Sequence, residues 1–167
     1  RGIPVLYGGS VDEKNASTFL SVSGADGLLI GRVSLEPARF LAIAKEAGKK
    51  KIKIVVGRDA RISGEMVNNL VLGTLQGVGV DVIDLGLSTT PTVEIAVPEE
   101  KADGGIILTA SHNPKQWNAL KLLNSKGEFI SEKDGAEVLA IAEKEAYSFV
   151  EVNALGKITK DDTYFKK

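Results

Sequence analysis

Two short runs in this sequence have the same form. Leu29-Ile30-Gly31-Arg32 and Val55-Val56-Gly57-Arg58 each place apolar residues before a glycine and an arginine, 26 residues apart. Between them Phe40, Ile43, Ala44 and Ala47 recur at i, i+3, i+4 and i+7, the spacing of one apolar helical stripe. A strand, a helix and a second strand in that length is one βα unit. Its repetition restricts the chain to the α/β class, because parallel strands need a long crossover whose helix covers a face of the sheet. Right-handed crossovers narrow the topology further.

The rest of the chain reads in the same units. Ile3 to Tyr7 is a strand candidate ending at Gly8-Gly9, and Ser10 with Glu13 has capping-box spacing for a helix through about Leu20. Gly27 to Ile30 is the next strand, and Ser34 can cap the helix that carries Phe40 and Ile43. After the joint Lys49-Lys50-Lys51, Ile52 to Val56 is a β-branched strand, and Ser63 can cap a helix with a Val67, Leu70, Val71 and Thr74 stripe. Val80 to Leu85 is a further strand, and Thr90-Pro91 has the chemistry of a helix start, with that helix reaching Ala96. Gly105 to Leu108 and Ala119 to Leu123 are strands joined by a connection too short for a helical crossover, so they are expected to pair antiparallel. Asn124 to Gly127 is a turn, and Ser131 with Asp134 opens a last helix on Gly135, Val138, Leu139 and Ala142. The tail from Ser148 reads as extended, then polar. The expected fold is a three-layer α/β/α arrangement with a mostly parallel sheet and one antiparallel strand, formed as a single domain over residues 1–167 from segments 1–48 and 51–167.

Charge excludes several partners. With 21 Lys and Arg against 22 Asp and Glu, the net charge is −1 and the signs are interspersed, so nucleic acid and anionic membrane are not expected partners. The absence of cysteine excludes disulfides and thiolate metal sites and is compatible with a reducing compartment. No apolar run approaches the roughly 20 residues of a membrane helix, and the first residues lack the layout of a signal peptide. A cytoplasmic location is the expectation.

Chemistry gathers at Thr109-Ala110-Ser111-His112-Asn113-Pro114, directly after a strand. Pro114 biases Asn113 away from helical geometry, so a hydroxyl, the only imidazole and a carboxamide share a loop where open α/β sheets present ligand sites. Taken alone, such a serine is a turn or capping residue as readily as a nucleophile. Lys121 reads equally as a solvated strand-edge lysine, and Arg58, Asp59 and Arg61 read as a polar brace under the loop or as an ion-pair network at a helix entry.

Together with Asn118, Lys121, the Gly57-Arg58-Asp59-Ala60-Arg61-Ile62-Ser63-Gly64 element and the Ser88-Thr89-Thr90-Pro91-Thr92 turn, this loop resembles the phosphoserine domain of the α-D-phosphohexomutases over Lys51 to Lys167. The resemblance implies that Ser111 accepts a phosphoryl group exchanged with a sugar phosphate, with Lys121, His112 and Arg58 near the reaction. Thr109, Asn113, Asp59 and Arg61 are then loop support. It also implies Mg2+ for the intact mutase, bound to Ser111 only through its phosphate and otherwise by an Asp-Gly-Asp-x-Asp-type loop. That loop does not occur in this sequence, so no cofactor is expected for the chain alone.

Residues 1–48 resemble the last two strand-helix units of triosephosphate isomerase, through Tyr7-Gly8-Gly9-Ser10-Val11, Asn15-Ala16 and Ala25-Asp26-Gly27-Leu28-Leu29-Ile30-Gly31. That likeness implies phosphate binding at Gly8, Gly9, Ser10, Gly31 and Arg32, with Arg32 standing where many members have glycine. Two readings follow from the pair. One is a recombined or engineered chimeric scaffold without turnover, binding at most phosphate or a sugar phosphate, with self-association open. The alternative is a phosphoryl-transfer module of phosphoglucomutase/phosphomannomutase type with Ser111 as acceptor.

Overall fold

A computed structural model describes residue 3 and residues 5–21, 25–47, 51–145 and 147–166. Pro4 of the first expected strand and Lys49-Lys50 of the joint lie outside the described residues. The chain divides into two compact units, one of residues 1–50 and 151–154, the other of residues 51–150 and 155–167.

In the first unit, β1 (Leu6–Tyr7) pairs in parallel with β2 (Gly27–Leu28). Between them runs α1 (Ala16–Ser21), and a short 3-10 turn at Arg32–Leu35 leads into α2 (Pro37–Ala47). Val11, Ala16 and Ile43 are buried together, with Phe19, Leu28, Ile30 and Val33 against them. Both expected caps differ from the observed ones. Ser10 has φ +46° and does not cap; instead Asp12 Oδ1 accepts the amides of Lys14 (2.9 Å) and Asn15 (3.0 Å), and Asn15 Oδ1 accepts the Asp12 amide at 2.8 Å. Glu13 turns to the Arg39 guanidinium at 2.9 Å. Ser34 sits inside the 3-10 turn, donating to the Gly31 carbonyl, and α2 begins at Pro37, whose missing N–H costs nothing in a first turn. Ile43 is the buried member of the expected α2 stripe; Phe40 is 43% exposed.

The second unit is built on a five-stranded sheet in the order β6-β5-β3-β4-β7. Its strands are β3 (Lys53–Arg58), β4 (Asp81–Leu87), β5 (Gly104–Leu108), β6 (Leu120–Leu123) and β7 (Ile158–Lys160). β3, β4, β5 and β7 are parallel, and β6 returns antiparallel on β5, as expected. The helices are α3 (Gly64–Gly77), α4 (Thr90–Glu99) and α5 (Glu132–Glu143). Period-two alternation splits the core between the two faces. Val56, Val82 and Leu108 meet Leu72 of α3, whereas Val55 and Ile107 meet Val93, Ala96 and Val97 of α4. This is the expected three-layer arrangement. Gly57 has no room for a Cβ, which would collide with Ser88 Oγ and Val93 of the α4 layer.

Several boundaries and faces differ from the sequence reading. Ser63 has helical dihedrals and its hydroxyl does not cap α3; the cap of α4 is Thr89, whose Oγ1 accepts the Thr92 amide at 3.3 Å. The fully buried residues of α3 are Gly64, Asn68 and Leu72; Val67 and Val71 of the expected stripe pack against the same core, and Leu70 is 63% exposed. α5 forms with its Ser131/Asp134 capping box but buries no residue, so its apolar stripe does not reach the core. The tail contributes β7, because the backbone of β4 still offers a free edge there.

Candidate functional site

The order of the sheet opens a crevice. The chain leaves β3 toward β4 on one side and returns to β5 on the other, then moves on to β6, so the loops after β3 and β5 diverge at the carboxyl ends of adjacent parallel strands. Such a switch point is where open α/β sheets hold ligands. The Asp59 amide donates to the Leu108 carbonyl at 3.0 Å, tying the root of one loop to the other.

The loop from Thr109 to Ala119 closes on itself through a Thr109 amide to Ala119 carbonyl bond of 3.0 Å. Thr109 is buried, and its hydroxyl donates to Asp59 Oδ2 at 2.7 Å while accepting the Ser111 amide at 3.1 Å. Ser111 has φ +51°, a left-handed conformation that costs an L-residue about 1–2 kcal/mol. Its side chain is exposed, and Lys121 Nζ donates to its Oγ at 2.9 Å. The antiparallel register that places Lys121 opposite Ile107 brings it to the loop from a neighbouring strand, and the Phe129 ring lies 5.8 Å from its ammonium. The structure therefore joins Ser111 and Lys121, ten residues apart, through strand pairing.

Asn113 secures the turn, both its amide and its Nδ2 donating to the Ala110 carbonyl at 3.0 Å. Arg61 reaches across from the β3 loop to Asp59 Oδ2 (3.1 Å) and to the carbonyls of Pro114 (2.9 Å) and Trp117 (3.0 Å). It also meets the carbonyls of Ser111 (2.6 Å) and Asn113 (2.9 Å). Asn118 Nδ2 donates to Ser63 Oγ at 3.3 Å, a second link between the two loops. His112 is exposed.

Arg58 is placed differently. Its Nη1 donates to the Asp59 carbonyl at 3.3 Å, and the side chain lines a pocket whose other residues include Glu65, Asn68, Asp84, Gly86 and Lys160. Among the described residues it makes no hydrogen bond to the serine loop. Phe129, Trp117 and the carbonyl of Pro114 were not singled out from sequence. The last two enter through backbone carbonyls, which carry no residue-type signal, and Phe129 enters through the hairpin after β6, which bridges Leu123 to Phe129.

In the first unit, the loops at Gly8-Gly9-Ser10 and Gly31-Arg32 follow the carboxyl ends of the paired strands β1 and β2. A Cβ on Gly9 would meet the Tyr7 hydroxyl at 2.9 Å, whereas one on Gly31 would meet nothing within 4 Å. Arg32 is exposed.

The residues around Ser111 do not compose a Mg2+ shell. Asp59 is committed to Thr109 and Arg61, and a lysine ammonium occupies the Ser111 hydroxyl, whereas Mg2+ requires six oxygens in near-octahedral geometry. No group of three or more His, Cys, Asp or Glu able to hold a metal occurs among the described residues. No helix there is long and apolar enough to cross a membrane.

Comparison with known proteins finds two families. The family described as phosphoglucomutase/phosphomannomutase, alpha/beta/alpha domain I matches residues 33–148, and triosephosphate isomerase matches residues 1–47. The two matches overlap on α2 instead of meeting at the lysine joint. A probable phosphoglucosamine mutase of Methanosphaera stadtmanae is 36% identical over 146 residues, covering 86% of this chain and 32% of that protein. A phosphoglucomutase/phosphomannomutase of Thermococcus kodakarensis is 37% identical over 123 residues, covering 74% of this chain and 27% of that one. The chain thus spans about a third of the length of these relatives. Among solved structures, a phosphoglucomutase/phosphomannomutase family protein from Burkholderia thailandensis superposes with TM-score 0.59 at 22% identity, over 92% of this chain and 30% of that one. A putative phosphomannomutase from Thermus thermophilus gives TM-score 0.57 at 30% identity, over 68% and 25%.

Proposed function

Because the chain belongs to the phosphoglucomutase/phosphomannomutase family through its α/β/α domain I, we propose that it is a phosphoryl-transfer domain of phosphohexomutase type with Ser111 as acceptor. The observation that carries this reading is the 2.9 Å contact from Lys121 Nζ to Ser111 Oγ at the switch point of the sheet. A serine hydroxyl is a weak nucleophile, and phosphoryl transfer depends on positioning and on stabilising charge on the moving group. In this reading Ser111 Oγ forms a bond to phosphorus as the bond to a sugar oxygen breaks. The Lys121 ammonium neutralises charge on the phosphoryl oxygens, and His112, exposed beside Ser111, assists removal of the hydroxyl proton while the departing sugar oxygen takes one up from solvent to leave as a hydroxyl. The donor class is a hexose phosphate, as the names of the phosphoglucosamine mutase and phosphoglucomutase/phosphomannomutase relatives suggest. Since the chain spans 32% of one such relative and 27% of another, the proposal is confined to the transfer onto serine and its reversal.

The match of residues 1–47 to triosephosphate isomerase supports a chain recombined from two families, and phosphate binding at Gly8, Gly9, Ser10, Gly31 and Arg32 rests on that likeness alone. Under the scaffold reading Ser111 keeps its shape without reactivity. Intact mass and peptide mapping after incubation with glucose 1,6-bisphosphate and Mg2+ separates the two. The phosphoryl-transfer reading expects one phosphate on Ser111, absent in Ser111→Ala and formed about 100-fold more slowly in Lys121→Met. A folded chain that gains no phosphate, or gains it elsewhere, contradicts it.

A further inference from the structure

An arginine side chain carries five N–H donors in a fixed fork and no acceptor. At Arg61 all five are spent. Nε is on Asp59 Oδ2, Nη1 is on the carbonyls of Pro114 and Trp117, and Nη2 is on those of Ser111 and Asn113. The side chain is only 11% exposed, so little of it meets solvent. Four of the five acceptors are carbonyls from a stretch of seven residues, 111–117, which places the guanidinium at the centre of that turn.

The same contacts close around one residue. The Ser111 amide is held by Thr109 Oγ1, which is held by Asp59, which is held by Arg61; the Ser111 carbonyl is held by Arg61 directly. Both backbone groups of the residue with φ +51° are therefore fixed through one guanidinium. An unfavourable dihedral persists only where its surroundings over-determine it.

We infer that Arg61 is the positioning residue of the serine loop: it binds no phosphoryl donor, and it sets the left-handed conformation that puts Ser111 Oγ against Lys121. Lysine cannot take its place, because three donors on a compact ammonium do not span four carbonyls and a carboxylate. The rate consequence rests on Ser111 being the phosphoryl acceptor; the structural consequence stands on the hydrogen bonds alone.

The test combines two measurements on the whole chain as Arg61→Ala and Arg61→Lys. The first is amide hydrogen exchange of residues 111–117 against that of β3 and β5; the second is the rate of Ser111 phosphorylation by glucose 1,6-bisphosphate. Both variants should exchange the loop amides faster, leave the strand amides at wild-type protection and slow phosphorylation by about 100-fold, the scale of an ångström of misplacement. Ethylguanidinium, which restores the deleted atoms of Arg61→Ala, should recover loop protection and rate, and ethylammonium at equal ionic strength should not. A wild-type loop and rate in either variant overturns the inference, as does equal recovery by both cations. If Arg61→Ala does not fold, Arg61→Lys decides by the same two readouts. If the wild-type chain forms no phosphoserine, the phosphoryl-transfer reading falls, and loop exchange with its guanidinium recovery still decides the role of Arg61.

Discussion

Ser111 is held in a conformation that its own backbone disfavours. Replacing it with glycine, which adopts φ +51° without steric penalty, should stabilise the second unit by about 1 kcal/mol in denaturant titration while removing the proposed acceptor. Loss of stability in Ser111→Gly would mean that the hydroxyl's contact with Lys121 outweighs the backbone strain. The sequence made the serine visible through its neighbours Thr109, His112, Asn113 and Pro114, and Lys121 through family likeness. The φ of Ser111 left no trace in residue type, because serine is not a residue that ordinarily marks a left-handed position. Arg58 and Arg61 were read as one brace, and they part company. Arg58 is the last residue of β3 and lines the pocket with Asn68 and Asp84, whereas Arg61, in the loop beyond the strand, reaches the serine loop.

Elements that pack on the sheet and elements that do not are stabilised by different things. α3 and α4 are fixed by burial of Leu72, Val93, Ala96 and Val97. α5 buries nothing, so its capping box is a large part of what holds it; Ser131→Ala should cost about 1 kcal/mol and raise amide exchange in the first turn of α5 without touching the sheet. Unchanged exchange there would show that α5 is held by something other than its cap. Near the other end of the unit, burial in the α4 layer and the hydrogen bond to Glu100 push the Tyr164 hydroxyl well above the phenol range. A pKa raised on folding means that the unfolded chain loses this proton first, so the stabilisation is complete below pH ~10 and is lost as pH rises through the folded value. Tyr164→Phe should be less stable than wild type at pH 8 by about 1–2 kcal/mol, with the gap closing above pH ~10 in paired melts. A gap independent of pH would show that the phenol does not titrate with unfolding. The periodic signals located α3 and α4 well because burial enforces period, and Val67 and Val71 of the expected α3 stripe do pack against the core while Leu70 does not; the signals misplaced the caps near Ser10 and Ser34. In those places side-chain hydrogen bonding by Asp12, Asn15 and Ser34 competes with the helix start.

At the scale of the molecule, alternating strands and helices sufficed for the α/β/α layers and for the antiparallel return of β6, since a short connection leaves no other pairing. They did not suffice for β7, because a three-residue strand carries no periodic signature. The sheet of the second unit places the serine loop at its switch point, and the proposed transfer onto Ser111 asks that this geometry suffice in a chain spanning about a third of its relatives. The direct measurement is 31P NMR of the folded chain after incubation with glucose 1,6-bisphosphate and Mg2+, followed by addition of a hexose monophosphate. A phosphoserine resonance that appears in the wild-type chain, is absent in Ser111→Ala and is discharged by the sugar monophosphate is the result expected. A cooperatively folded chain that shows only free and donor phosphate throughout would contradict it, and would leave Ser111 as a loop residue of an α/β scaffold.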